Sequence, residues 1–206
     1  MTQPRERERE IDACLALRGR TVVLRPPRDD DAQAIWDAVR ESVTEVGAWL
    51  PWCHAAYGLD DALAWVRASR DARARGDECA FVVTDAAEGA LLGGCGLNQV
   101  EAVNRRANLG YWVRTAATGR GVATEAARLV AEFALTVLGL GRLEIVAATG
   151  NQASQRVAEK LGAVREGVLR NRFWLGGEPV DGVLYSLVPA DLGRPTTVPD
   201  GPRGPR

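Results

Sequence analysis

The stretch N-L-G-Y-W-V-R-T-A-A-T-G-R-G-V-A-T-E-A, Asn108 to Ala126, decides how this chain is read. An alternating strand passes through a short turn into a glycine-rich loop, and the loop opens directly into an amphipathic helix. Glycines at a helix start let backbone N–H groups approach an anion, and the helix dipole favours negative charge there. The segment T-G-R-G-V-A, Thr118 to Ala123, therefore reads as a phosphate cradle.

Outward from the loop, the elements alternate. Thr21–Arg25 reads as a strand, and Asp29 or Asp30 caps a helix whose apolar face holds Ala32, Ile35, Trp36 and Val39. A second helix runs from about Asp60 to Gly76. Strands follow at Cys79–Thr84, Leu91–Leu97 and Leu109–Arg114. The helix after the loop carries Val122, Ala126, Leu129, Val130, Phe133 and Val137 at helical spacing and stops near Gly139–Gly141. Leu143–Ala148 is a buried strand, Asn151 caps a helix ending at Gly162, and strands fit Val164–Leu175 and Val183–Leu187. This order predicts a mixed α+β or α/β domain, a central mixed sheet flanked by helices. The expected domain is 11–192, between a charged tail at 1–10 and a Pro/Gly/Arg-rich tail at 193–206.

With 206 residues, 46% of them hydrophobic, the chain can fill a sizeable core. A net charge of −1 argues against a nucleic-acid partner held by bulk electrostatics. Cys14, Cys53, Cys79 and Cys95 are scattered without a C-x-x-C pair, so no metal site is expected. R-E-R-E-R-E near the start is not a signal-peptide core, and no run approaches the ~20 apolar residues of a membrane span. The expectation is a cytoplasmic protein with reduced thiols and no membrane partner.

Two ligands suit the cradle. One is a dinucleotide, with Gly119 and Gly121 in a G-x-G-x-x-G/A pattern and Glu144 about 20 residues on as a ribose-binding acid. Against it, Thr124 stands at the third glycine position, Arg114–Thr118 separate strand from loop, and the chain opens with helices and antiparallel strands. The other ligand is the pyrophosphate of an acyl-CoA. G-Y-W-V, then T-G-R-G-V-A-T-E-A, then N-Q-A-S-Q-R-V-A-E-K-L-G-A-V-R-E-G resemble the GNAT superfamily of N-acetyltransferases. More narrowly, they are similar to the branch that includes the ribosomal-protein-alanine N-acetyltransferases. The resemblance covers about Leu17 to Leu192, with T-V-V-L-R-P and W-L-P-W included.

The resemblance implies acetyl-CoA as cosubstrate and no metal. It implies that the strand before the loop splays from its neighbour at a bulge, so that Trp112, Val113 and Arg114 face the pantetheine arm. Backbone N–H groups from Gly119 through Val122 and Ala123 to Thr124 would hold the pyrophosphate, with Arg120 adding a charge. Family members carry Gln or Arg where this chain has Thr118. The resemblance assigns Asn151 to the pantetheine region and sets Ser154 near the thioester sulfur. Helix capping alone also accounts for Asn151 and Ser154. Many relatives place a tyrosine four residues beyond Ser154, where Ala158 stands.

An attacking amine must be neutral, so an ammonium acceptor needs a base. Relatives often carry Glu where this chain has Asn108, and an amide is not a base; Asn108 would orient a water or the amine. His54 is the titratable candidate near the W-L-P-W segment, although a surface role also suits it. Trp49, Trp52 and Tyr57 read either as a core corner or as an acceptor rim joined by Trp174, with Arg172 beside it. The implied function is acetyl transfer by direct attack onto a primary amine, a protein or peptide N-terminus or a small amine. A non-catalytic acyl-CoA-binding regulatory protein is the alternative, and a homodimer is open.

Overall fold

The computed structural model describes residues 16–193. The tails expected at 1–10 and 193–206 lie outside the described residues except for Gly193, as do residues 11–15 and with them Cys14.

Strands β1 (Leu17–Arg18) and β2 (Val22–Arg25) open the described chain. A 3-10 turn at Asp29–Asp31 leads into α1 (Ala32–Glu41), then α2 (Val43–Gly47) and α3 (Leu59–Arg75). An antiparallel meander follows: β3 (Cys79–Asp85), β4 (Leu91–Glu101) and β5 (Arg106–Val113). Next come α4 (Val122–Glu132), a π-helical turn (Phe133–Val137), β6 (Arg142–Ala148) and α5 (Gln152–Lys160). The hairpin β7 (Val164–Leu175) and β8 (Glu178–Leu187) completes the fold. Among the described residues the strands make one sheet of order β1-β2-β3-β4-β5-β6-β8-β7. β5 and β6 pair in parallel, and the other neighbours are antiparallel. The expected mixed sheet with flanking helices is the architecture found.

Strand alternation divides the core into two layers. Phe81, Val83, Leu97 and Leu109 pack on one face with Val122, Ala126, Val130 and Ala158 from α4 and α5. Val82 and Leu91 pack on the other face with Ile35, Val39, Ala62 and Val66 from α1 and α3. On β5 the same parity sends Leu109, Tyr111 and Val113 toward α4 and α5, and Trp112 toward α1 and α3. The indole lies against β4 where Gly94 stands: a Cβ there would come within 2.6 Å of Trp112 Nε1.

Several boundaries differ from the sequence reading. Neither Asp29 nor Asp30 caps α1. Asp31 instead folds back to accept the Arg28 N–H and a two-pronged contact from Arg25, so the acids make a 3-10 turn ahead of the helix. Val137, expected on the buried face after α4, is 70% exposed. The π turn inserts extra backbone per turn and rotates the apolar stripe off the sheet. The helix α2 carries too short a pattern to have been read.

The end of the sheet where β5 and β6 pair carries a charged ladder. Arg142 spans Glu144 on β6 and Glu166 on β7, and Ser186 donates to Glu166 at 2.6 Å. The Arg142 guanidinium, then the Ser186 hydroxyl, hold the Glu166 carboxyl down from about 4.5 to about 2. A depressed carboxyl stabilises the folded state at pH values above its unfolded pKa, and that contribution is lost as pH falls toward the folded pKa. Arg142→Ala is expected to lower stability at pH 6 and to flatten the acid-unfolding profile between about pH 4.5 and 2; thermal unfolding across that range tests it.

Candidate functional site

The parallel pairing of β5 with β6 is short: Arg106, Ala107 and Asn108 face Arg142, Leu143 and Glu144. Beyond Asn108 the strands part, although β5 stays paired to β4 as far as Val113 and β6 to β8 as far as Ala148. Arg114 donates its N–H to the Leu92 carbonyl at 2.9 Å. In an antiparallel ladder hydrogen-bonding residues alternate, so the main chain of Trp112 also faces β4, while that of Tyr111 and Val113 faces the gap. The expected splay is therefore present, but Trp112 and Arg114 turn their backbone groups away from it. The β4–β5 ladder's register shift lies near the splay's start, between Asn98 and Glu101.

The gap widens into a cleft of about 660 Å³. One end is the loop. Gly121 adopts φ 82 at the start of α4, a left-handed geometry that glycine takes without a Cβ penalty. The N–H groups of Val122, Ala123 and Thr124 open the helix and have no intrahelical partner. Gly119, Gly121, Thr118 and these three residues line the cleft. A Cβ at Gly121 would meet nothing within 4 Å, so its glycine requirement is one of backbone conformation. Thr118 spends its hydroxyl on the Thr115 carbonyl at 2.8 Å. Arg120 is exposed, lies 3.9 Å from the Asp85 carboxylate and is not part of the wall.

The turn between β5 and the loop is clamped by the end of α1. Glu41 accepts the Ala116 N–H at 2.6 Å and pairs with the Arg114 guanidinium. Ser42, buried, accepts the Thr115 N–H at 3.0 Å, and Thr115 donates its hydroxyl to Glu45 at 3.0 Å. The Arg114 side chain is thus committed to Glu41, not to a ligand. The Arg114 pair and the Ala116 N–H hold the Glu41 carboxyl below its ordinary range. The sequence reading missed Glu41 and Glu45, whose partners lie 70–75 residues away.

The start of α5 forms the opposite wall. Asn151 Oδ1 accepts the backbone N–H of Ser154 at 3.0 Å, so Asn151 is the N-cap. The Ser154 hydroxyl takes no part in capping: the Tyr111 phenol donates to the Ser154 carbonyl at 3.0 Å, and Ser154 Oγ lies 3.1 Å from the same phenol oxygen. Burial pushes the Tyr111 phenol pKa well up. Ala158 is fully buried among core residues and faces no ligand.

Farther from the loop the wall becomes polar. Asn108 donates to Asn98 at 3.0 Å, and both line the cleft with Gln99. Among the described residues Glu45 is the only carboxylate in the lining. Trp49 also lines the cleft and reaches across it: a Cβ at Gly150 would come within 3.2 Å of its ring. Of the other aromatics read as an acceptor rim, Trp52, Tyr57 and Trp174, none lines the cleft. Trp52 stacks edge-on to Trp112 at 5.5 Å and sits 6.1 Å from Tyr57, an outer core corner. His54 is exposed beside Tyr57. Trp174 is 68% exposed, because an irregularity in β7 before Phe173, with Asn171 at φ 52, turns Arg172 and Phe173 into the cleft instead. Glu101 is held in an ion pair by Arg106, and Glu144 is paired with Arg106 and Arg142.

Residues 21–164 match the family model described as acetyltransferase (GNAT) domain. A relative, the putative ribosomal N-acetyltransferase YdaF of Bacillus subtilis, is 38% identical over 101 residues, 49% of this chain and 55% of that protein. The chain's match thus spans about half the length of that relative. A solved structure of a putative ribosomal-protein-serine acetyltransferase from Vibrio cholerae superposes with a TM-score of 0.73 at 27% identity, covering 86% of this chain and 99% of that one. RimJ of Mycobacterium smegmatis, solved with a CoA disulfide, shares the fold at a TM-score of 0.77 and 24% identity, covering 84% of each chain.

The clamp yields a direct expectation. Glu41→Ala strands the Ala116 N–H and leaves the Arg114 guanidinium only its Leu91 carbonyl contact, and should lower stability by about 1–2 kcal/mol, whereas Glu41→Gln, which keeps one acceptor, should lose less. Denaturant unfolding of the two variants measures the difference.

Proposed function

The chain belongs to the GNAT acetyltransferase family, and from that premise we propose that it transfers the acetyl group of acetyl-CoA to a primary amine, with a protein or peptide N-terminus as the favoured acceptor. The donor end of the cleft supports the reading. A pantetheine arm carries amides that can pair with the backbone of Tyr111 and Val113, and the first turn of α4 offers N–H groups to a pyrophosphate. Val113 N–H is also positioned on the strand edge to support charge developing on a thioester oxygen. Relatives named ribosomal acetyltransferases favour a protein acceptor.

One observation carries the choice of amine. The polar wall holds the amides Asn98, Gln99 and Asn108 where a dedicated base would be useful, His54 lies outside the cleft, and the Glu45 carboxylate in the lining accepts the Thr115 hydroxyl of the clamp. An α-amine, with a pKa near 7.8, is neutral in roughly a quarter of molecules at pH 7.4, while a lysine amine near 10.4 is neutral in about one in a thousand. A site that binds and orients with amides is therefore far better matched to an α-amine. Asn108 and Asn98 would align the nitrogen, which attacks the thioester carbon directly. No covalent enzyme intermediate is needed, and the buried thiols of Cys53, Cys79 and Cys95 take no part. Ser154 would donate to the sulfur as the C–S bond breaks.

Thiol release from acetyl-CoA, measured against peptides with free N-termini, lysine side-chain amines and polyamines, tests the reading. Turnover is expected with N-terminal peptides. Stabilisation by CoA with no thiol release for any acceptor would show the chain to be an acyl-CoA-binding protein without turnover. Gly121→Asp puts a carboxylate at the anion cradle in a left-handed position and should raise the KM for acetyl-CoA at least about tenfold. Ser154→Ala should leave that KM nearly unchanged and lower kcat by about tenfold, the loss of one hydrogen bond to developing charge.

A further inference from the structure

Arg172 reaches the cleft by a route that three other residues hold open. On β7, Arg170, Asn171 and Arg172 oppose only Asp181 of β8, between the pairs Leu169–Gly182 and Phe173–Val180. Asn171 takes φ 52 in this bulge, and its N–H donates to Asp181 Oδ1 at 2.8 Å. The Arg172 stem then lies across Gly182: a Cβ there would come within 3.0 Å of Arg172 Cβ and Cγ and within 2.9 Å of Val146 Cγ1. A side chain at 182 would push the arginine off the strand. The guanidinium so delivered lines the cleft, and among the described residues it makes no ion pair or hydrogen bond.

Strand alternation says which part of the cleft it serves. Ile145 and Val183 belong to the α4–α5 layer, so Val146 and Gly182, with the Arg172 stem over them, stand on the other face. Leu97 and Leu109 fix the same parity for Asn98 and Asn108. Arg172 therefore shares a face with the amides that would align the amine. Arg156 and Lys160 also line the cleft, but one turn apart on α5, and the Lys160 carbonyl accepts from Arg128 on α4. Those two cations go with the helix whose first turn is the anion cradle, on the opposite face.

We propose that Arg172 is a specificity-determining residue for the acceptor: its guanidinium binds an acidic side chain at the second or third residue of the N-terminal segment being acetylated. The assignment rests on the acetyl-transfer reading above. A guanidinium presents a planar fork of donors that a carboxylate can meet two-pronged. Asn108 pairs with Glu144, and Gly182 with Ala148, so the amide and the arginine's place on the sheet are about 16 Å apart at the main chain. Less the reach of the two side chains, that distance takes two or three residues of extended peptide. The Glu45 carboxylate, which would favour a basic residue, is occupied by the Thr115 hydroxyl.

The test uses the full chain and peptides with a free N-terminus and an amidated C-terminus, differing only in Glu, Gln or Lys at the second and third residues. The Glu peptides should show a kcat/KM at least about fivefold above the Gln peptides, expressed in the peptide KM, with the Lys peptides poorest. Arg172→Met keeps an unbranched stem over Gly182 and removes the charge. It should bring the Glu-to-Gln ratio to about one, with the KM for acetyl-CoA within about twofold of the original. Arg172→Glu should make the Lys peptides the best of the three. Equal use of Glu and Gln peptides by the unaltered chain would overturn the proposal, as would an equal loss on every peptide in Arg172→Met. A raised KM for acetyl-CoA in that variant would overturn it too, by assigning the arginine to the donor. A neutral tripeptide with a free C-terminal carboxylate separates a chain end from a side chain; its preference over the Glu peptides also counts against the proposal. If Arg172→Met fails to fold, the unaltered chain still decides: its Glu preference should shrink as salt rises from about 0.05 M to about 0.5 M, and a preference indifferent to salt overturns the proposal. An unaltered chain that releases no thiol with any acceptor fails the acetyl-transfer reading itself, an outcome distinct from an active enzyme indifferent to acidic residues.

Discussion

The separation of β5 from β6 after Asn108 is the constraint on which the rest of the structure depends. Each strand keeps its outer partner, so the parting leaves backbone groups of Tyr111 and Val113 without a strand to meet. An unpaired buried backbone group costs about 1–3 kcal/mol, so such a gap persists only where water or an extended ligand can serve it. The cleft is therefore a missing strand pairing held open by the sheet itself. A ligand with amides along its length, as the proposal has it, would complete the ladder in place of β6.

Everything around the gap serves to hold its two walls at a fixed spacing. The turn from β5 to the loop receives four contacts from the α1–α2 junction, through Glu41, Ser42 and Glu45. These link the helical layer on one face of the sheet to the loop that opens α4 on the other. Trp49 spans the cleft from the end of α2 to the turn at Gly150 after β6. The α5 side is tied back by the Tyr111–Ser154 contact, which joins the two walls directly. The loop's backbone N–H groups are thus positioned by side chains far away in the chain, and the glycines only permit the geometry.

The parts legible in the sequence were those encoded locally. The T-G-R-G-V-A loop, the Asn151 cap and the alternating G-Y-W-V strand each carry their signal within a few residues, and the structure has them as elements. The parts not legible depend on distant partners or on irregular backbone. Tyr111 looks like any strand aromatic until α5, 43 residues on, is laid against it. Arg114 reads as a strand-edge contact for a ligand, but its N–H pairs with the Leu92 carbonyl on β4 and its side chain with Glu41. Trp174 reads as a groove aromatic on regular alternation, but the irregularity before Phe173 rotates the strand and gives that place to its neighbours. Val137 fails for the same kind of reason, since a π turn breaks the 3.6-residue period.

Under the proposed reading the two ends of the cleft would recognise their ligands differently, and this explains why one end was readable and the other not. The donor end works mainly through main chain: strand edge, loop N–H groups and a helix start. Main-chain recognition demands glycines and a strand–loop–helix order, which leave a continuous trace in the sequence. The acceptor end works through side chains collected from separate elements: Glu45 and Trp49 near α2, Asn98 and Gln99 on β4, Arg172 and Phe173 on β7. Two of these contributions depend on left-handed backbone at residues other than glycine, Gln99 at φ 51 and Asn171 at φ 52. Such conformations cost about 1–3 kcal/mol and concentrate where a strand must re-aim its side chains. Both sit at ladder irregularities that border the cleft. The wall to which the proposal assigns the acceptor is therefore the part of this sheet that departs from regular pleating, at the left-handed residues Gln99 and Asn171.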